Sequence, residues 1–555
     1  MVWTTRVPST RCSRSGHNIR ARLGSAGSPL HLPLVWPALV VGCLASTACS
    51  ASDNESGAST SSAGSSAAQA GISAGGASVG GGGAVIAGGG AGTGSAGSNN
   101  AAGAAAGGSV GASAAGSAGQ GAAAGSGSQG GASGGSGGGV AGSGGAAGAG
   151  ATGAGGASTT CGGGSSTESD LVVNLADVHQ SISGFGASTA WSSTMSSADA
   201  DTLWSTTTGA GLSLHRIRID YQTGHTSELN IAKLAVAHGV TVWATPWTPP
   251  TADKSNANAV EGTMTNPSAY ATFLSGFVTY MKGQGVPIYA VSAQNEPDAN
   301  VTYESCVYTP ATMVTWVGGS MGPTLSAMGV KVMAPETQNW CGFPSFEKAL
   351  LADANAKKYT DIIATHEYGC NPGAYPEIAA AGKEFWETEI YDTITTADVG
   401  MGSALRVAKL INDAMTIASM NAWHYWWVYP SSEDNGALWD KNSNQATKRL
   451  WVEGNYARFV RPGFVRVGTT GSAPSGVTLS AYENPTDGKV VIVAINNNQS
   501  TTPVSFFVSG AAPCAMTPWV TSATDSLASK TALNVSSSRF SATLAAQSVT
   551  TFVAG

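Results

Sequence analysis

Two glutamates and their neighbours carry the reactive chemistry of this chain. Glu296 follows the apolar run Ile288–Ala293, with Asn295 before it and the helix-excluding Pro297 after it. Glu389 closes a second run, Glu384-Phe-Trp-Glu-Thr-Glu389. A strand that alternates with helices and ends in an acid suggests the mouth of a (β/α)8 barrel, where reactive groups sit on the C-terminal strand ends. For either acid alone, a solvated loop glutamate is the competing reading. Taken as a pair, one protonated and one ionised, they meet the needs of glycosidic bond hydrolysis: one carboxyl releases the leaving oxygen while the other attacks the anomeric carbon or activates water. A retaining outcome wants the two carboxyls about 5–5.5 Å apart. Glu387 competes with Glu389, two residues earlier on the same predicted strand face. Glu389 is preferred because it stands nearer the strand end.

The elements that must position these acids follow from periodicity. Gly184-Phe-Gly-Ala187 reads as the first barrel strand, and Gly211–Asp220 as the second, with Arg216 and Arg218 on one face. An arginine buried there needs a carboxylate partner. Strands follow at Val240–Thr245, Ile288–Ala293, Val330–Ala334, Ile362–His366, Glu384–Glu389 and Asn421–Trp427. Helices alternate with them, opened by Asn266-Pro267 and Thr309-Pro310 and continuing at Phe346–Leu351 and Ala404–Ala418. The count closes at eight strands. From about Val465 the pattern changes to strands and turns: Val477–Ala481, Val490–Ile495, Val504–Val508 and Ser548–Val553. That alternation predicts an antiparallel sandwich. Leu171–Leu175 and Gln180–Ser183 read as a strand pair that joins it. The expected fold is therefore α/β, a (β/α)8 TIM barrel fused to a side β-sandwich built from both N-terminal and C-terminal strands. Its divisions are an export signal at 1–49, a linker at 50–167, sandwich strands at 168–183, the barrel at 184–462 and the sandwich at 463–555.

Composition narrows the function classes. Between Glu55 and Glu168 there is no charge, aromatic or proline, so the segment cannot bury a core and is expected to be a disordered Gly/Ala/Ser tether. A net charge of -7, without a basic run after the N-terminus, gives no nucleic-acid footprint. Arg6, Arg11, Arg14, Arg20 and Arg22 precede the apolar Leu32–Ala45 and then small residues, the order of a bacterial export signal. Secretion, or surface attachment through a lipidated Cys43 or Cys49, is the expected localisation. Beyond the leader stand Cys161, Cys306, Cys341, Cys370 and Cys514, with no paired C-x-x-C, so one or two disulfides are expected and a zinc site is not. An odd count forbids full pairing.

Gly184-Phe-Gly, Leu214-His-Arg-Ile-Arg-Ile-Asp220, Trp247-Thr-Pro-Pro250, Ser292-Ala-Gln-Asn-Glu-Pro297, Tyr303-Glu-Ser-Cys306, Trp386-Glu-Thr-Glu389, Lys448-Arg449 and Phe459-Val-Arg-Pro-Gly463 together resemble glycoside hydrolase family 30, especially its bacterial glucuronoxylanase branch. The resemblance runs from about Leu171 to the C-terminus with the motifs in the family's order. It implies a retaining mechanism with Glu296 as acid/base and Glu389 as nucleophile. It further implies that His366 and Tyr368 line the cleft and orient the nucleophile. Arg216 would favour an ionised Glu389, and Asn295 would suit a hydrogen bond to the sugar 2-OH. Trp247 and Trp427, among the tryptophans that include Trp423 and Trp426, offer faces for sugar rings, with Tyr303 and Tyr375 as further candidates. No cofactor or metal is called for, since carboxylates fill both roles. One departure matters. The glucuronoxylanase branch carries an arginine pair after the last barrel strand, whereas this chain has Val428-Tyr-Pro-Ser-Ser-Glu-Asp-Asn-Gly436. Acidic residues there would repel a uronate. The expected activity is that of an exported, monomeric endo-acting glycosidase on a β-linked plant polysaccharide, the β-1,4-xylan backbone without strict glucuronic acid dependence. The alternatives are a β-1,6-galactanase or β-1,6-glucanase and, from another class, a catalytically inactive carbohydrate-binding surface protein.

Overall fold

The computed structural model describes residues 161–555. The expected export signal, with Cys43 and Cys49, and the linker as far as residue 160 lie outside the described residues. The described chain opens with β1 (Leu171–Ser181), which enters a sheet completed only by C-terminal strands. A closed parallel barrel follows, made of β2 (Gly184–Ser188), β3 (Leu214–Ile219), β4 (Thr241–Pro246), β5 (Ile288–Ser292), β6 (Lys331–Thr337), β7 (Ile362–Thr365), β8 (Glu384–Glu387) and β9 (Ala422–Tyr425). Pairing of β9 with β2 closes it.

Parallel strands covered on both faces must be apolar on both, and β2, β3, β7 and β9 are buried throughout. Alternation then sorts their side chains. Leu214, Trp243, Met333 and Trp386 pack together inside the barrel, while Ile217, Val242, Val291 and Phe385 join the layer between strands and helices. The lumen is thus filled, and reactive groups are left to the strand ends. Helix starts fall where the sequence places them: Asn266 caps Pro267–Gly283 by accepting from the Ala269 N–H at 3.2 Å, and Thr309 forms a reciprocal capping box with Thr312.

The second layer contains β10 (Val465–Thr470), β11 (Val477–Glu483), β12 (Val490–Asn496), β13 (Thr502–Ser509), β14 (Ala515–Thr521), β15 (Ala528–Ser529), β16 (Leu533–Asn534), β17 (Arg539–Leu544) and β18 (Ser548–Ala554). Its strand order is β15-β14-β18-β12-β11-β10-β1-β13-β17, with β16 on β14. All pairings are antiparallel except β1 with β13.

One local expectation is corrected. Leu171–Leu175 and Gln180–Ser183 are not a strand pair: β1 is a single strand that ends at Ser181 and pairs with β10 and β13. The exposed Ala176-Asp-Val-His179 between its halves coincides with register shifts against β10, so a bulge gave the signal of a turn. Cys161 bonds to Cys514 and Cys341 to Cys370, leaving Cys306 buried and free. Among the described residues, no helix is long and apolar enough to cross a membrane.

Candidate active site

The site grows from Arg216, on the lumenal face of β3 and fully buried. A guanidinium in such a place must be compensated, and it is compensated twice. Its Nη1 donates to Glu389 Oε2 in a short contact, and its Nη2 donates to Glu336 Oε1 at 2.9 Å and to Asn295 Oδ1 at 2.7 Å. The Trp247 ring lies against it, 4.7 Å from the guanidinium carbon.

Glu296 projects from just beyond β5, with its backbone in the left-handed region at φ 49°. A non-glycine residue held there is strained, and such strain gathers at functional sites. Two contacts fix the turn: Asn295 N–H donates to the Pro246 carbonyl at 2.9 Å, and Glu296 N–H to the Glu336 carbonyl at 3.0 Å. The Glu296 side chain accepts from Tyr303 Oη on Oε2 and meets His366 Nδ1 at 3.3 Å on Oε1. Glu389 lies just beyond β8, where Oε1 accepts from Tyr368 Oη at 3.1 Å. One ligand-type atom from each of Glu296, His366 and Glu389 lies within 4.8 Å of the others. That spacing fits the short separation of a retaining carboxyl pair and not the roughly 6.5–9.5 Å of an inverting one. Such a triad could in principle hold a metal ion, but Arg216 already takes one Glu389 oxygen, and the cluster reads as acid/base machinery.

Burial and charge act against each other within the cluster. Burial pushes the Glu389 carboxyl up, while His366 and Arg216 pull against it. Burial also works against a charged His366, but Glu389, Glu296 and Glu336 overcome it and push the imidazole up to about 9. Burial likewise works against a charged Glu336, yet Arg216 and then His366 hold its carboxyl below the usual range. Three carboxyls therefore face two cations, and the cluster is neutral when the carboxyls share a single proton. Arg216 and His366 are the groups that favour an ionised Glu389 against its burial.

The structure brings together Glu296, Glu389, Asn295, Arg216, His366, Tyr368 and Tyr303 from the sequence reading. It does not bring Glu387 to them. Glu387 is fully buried and accepts from the His424 N–H at 2.7 Å, on the strand face shared with Phe385. Because β8 ends at Glu387, alternation at period two does not carry through to Glu389. Trp247 is also corrected as an open sugar platform: it is 2% exposed, lying against Arg216 and in edge contact with Trp191. Trp427 is partly exposed, and its Nε1 donates to the Ala190 carbonyl at 2.8 Å. Trp423 is core, and Tyr375 stacks on Trp340 in a packing cluster.

Two residues were missed. Trp191, 41% exposed at φ 64°, is the most exposed ring of the cluster it forms with Trp247, Trp426 and Trp427. Its signal was its place just after the first barrel strand. Glu336 had the same grammar as Glu296, an acid following a buried strand.

Comparison with known proteins places this geometry. The family model described as the glycosyl hydrolase family 30 TIM-barrel domain matches residues 213–428, and that of the family 30 beta sandwich domain matches residues 463–552. Glucuronoxylanase XynC of Bacillus subtilis strain 168 is 32% identical over 404 residues, covering 69% of this chain and 92% of that relative. The solved structure of the family 30 subfamily 8 xylanase Xyn30A from Clostridium acetobutylicum is 37% identical with a TM-score of 0.64, over 70% of this chain and 99% of that one. A family 30 endoxylanase from Clostridium papyrosolvens is 33% identical with a TM-score of 0.61, over 70% of this chain and all of that one (100%).

Proposed function

Because the chain belongs to glycosyl hydrolase family 30, we propose that it is a retaining endo-glycosidase that cleaves the β-1,4-xylan backbone without depending on glucuronic acid branches. That it is a glycoside hydrolase follows from the family itself, as does action on a polysaccharide. The observation that carries the retaining mechanism is the approach of Glu296 and Glu389 oxygens to within 4.8 Å. In the first step, Glu389 attacks the anomeric carbon while Glu296 passes its proton to the departing glycosidic oxygen, so that bond breaks as the glycosyl-enzyme ester forms. In the second, Glu296 takes a proton from water, which attacks the same carbon and releases Glu389. Arg216 and Tyr368 hold the nucleophile, and Tyr303 and His366 hold the acid/base. Asn295 accepts from Arg216 on Oδ1, leaving its amide N–H as a donor for the sugar 2-OH.

Substrate choice rests on the xylanase relatives and on the loop after β9. Glu433 there is exposed, and Asp434 is half-buried, accepting from the Gly436 N–H at 2.7 Å. Two carboxylates offer a uronate repulsion where bidentate arginine would attract it. Export is supported by the leader composition and by two disulfides, which persist in oxidising compartments.

The test is product analysis on glucuronoxylan, unsubstituted xylan, β-1,6-galactan and β-1,6-glucan, with Glu389→Gln in parallel. Oligosaccharides from both xylans, with turnover lost and polymer binding kept in the variant, are expected. Cleavage confined to a β-1,6-linked chain would overturn the substrate, and silence on all four would favour a binding protein.

A further inference from the structure

Glu336 is a third carboxylate in a site whose chemistry uses two. It stands near the end of β6, fully buried, with φ 64°. Arg216 Nη2 donates to its Oε1 at 2.9 Å, and Thr245 Oγ1 donates to its Oε2 at 2.5 Å. His366 Nε2 lies 3.6 Å from the same Oε1. Its main-chain carbonyl accepts from the Glu296 N–H at 3.0 Å, so two left-handed residues on neighbouring strands are joined backbone to backbone. Fully buried, with both oxygens engaged inside the barrel, Glu336 presents no surface to a substrate.

Building on the retaining-glycosidase reading, we propose that Glu336 is a positioning residue that divides the charge of Arg216 between itself and Glu389 and fixes the turn from which Glu296 projects. Arg216 is the shared partner. Were Glu389 its sole carboxylate, the full guanidinium charge would stabilise the ionised nucleophile and make it a weaker base, hence a weaker nucleophile. Sharing with Glu336 keeps Glu389 oriented while leaving it reactive. The same carboxylate draws His366 into its charged form beside Glu296. The other ionisable groups around Glu336 are Glu296 and Glu389 across the mouth and His424 on β9, whose imidazole is pushed down to about 3, chiefly by burial, and stays neutral.

Glu336→Gln tests this, because it keeps the side-chain shape, partners for Arg216 and Thr245, and the main-chain carbonyl, while removing the charge. On the full chain, kcat is expected to fall about tenfold to a hundredfold with KM changed by less than about threefold. Both limbs of the pH profile of kcat/KM should move about one unit to lower pH, since losing an anion makes the Glu389 carboxyl more acidic and His366 less basic. Glu336→Asp should return the limbs toward the wild-type positions. Limbs that stay in place, whatever the loss in kcat or melting temperature, would overturn the proposal and leave Glu336 a structural residue. The His366 imidazole, titrated by NMR, reads the same coupling without turnover, and an unmoved titration in Glu336→Gln would overturn the proposal alone. Absence of wild-type turnover on every glycan would overturn the glycosidase reading together with the catalytic half of this one.

Discussion

Around Arg216, three carboxyls share the field of two cations, Arg216 itself and the protonated His366, and the pH response of the site follows from that balance. Glu389 is pushed up by burial, so its ionisation governs the acid limb of activity. Glu389→Gln should lower kcat by at least about a thousandfold while binding persists, read by turnover and by polymer retardation on native gels. His366 links the site to stability. Its folded-state value of about 9 lies above its ordinary 6.5, so its contribution is complete below about pH 6.5 and is lost as pH rises through about 9. The amount is on the order of 3 kcal/mol. Melting curves of wild type and His366→Gln should therefore lie well apart at pH 6 and converge toward pH 10, and parallel curves would show that no charged imidazole is held there. Of this cluster, Glu296, Glu389 and Arg216 were legible in the sequence from their places on or just past recognisable strands, and His366 through the family resemblance. The role of Glu336 was not, because what distinguishes it from a loop acid is its contact with Arg216, 120 positions away.

At the scale of elements, the barrel was legible because parallel strands buried on both faces leave continuous apolar runs with acids at their ends. What the runs could not show is where a strand stops. Glu387 and Glu389 share a face only if β8 continues, and it ends between them. Aromatic residues pose a related difficulty: composition shows that a tryptophan is present, and only packing shows whether its face is covered. Trp247 packs against Arg216, and the loop after β2 sets Trp191 in edge contact with Trp247, 41% exposed. Arg218 reinforces that loop, its guanidinium carbon 5.2 Å from the Trp191 ring while Glu304 pairs with it. Trp191→Ala should thus raise KM for the polysaccharide about tenfold, a loss of ~1.4 kcal/mol, with kcat little changed. Trp247→Ala should instead lower kcat, because it removes the support of Arg216. Steady-state kinetics on the two variants separates a platform from a support, and an unchanged KM in Trp191→Ala would remove Trp191 from the binding surface.

In the whole molecule, barrel and sandwich share a core through β12. Its seven residues are all buried, yet they divide by parity: Val491, Val493 and Ile495 belong to the core that contains the barrel, while Val490, Ile492 and Ala494 belong to the sandwich core. A strand with two apolar faces needs a layer on each, so neither layer is complete alone. The helix Lys448–Ala457 completes the joint. Asn455 Nδ2 donates to the Trp519 carbonyl at 3.0 Å and to Thr551 Oγ1 at 3.0 Å, and Thr551 Oγ1 donates back to the Asn455 carbonyl at 2.6 Å. The consequence is cooperative unfolding: urea denaturation of residues 161–555 should give one transition, coincident by tryptophan fluorescence and far-UV circular dichroism. Asn455→Ala removes the donor to one buried and one part-buried acceptor, which costs about 2 kcal/mol. It should lower the midpoint for both probes together, with the slope unchanged. Two separated transitions in the wild type would mean that β12 packs on the barrel without coupling to it, and the side sandwich would then be an independent passenger of the catalytic barrel.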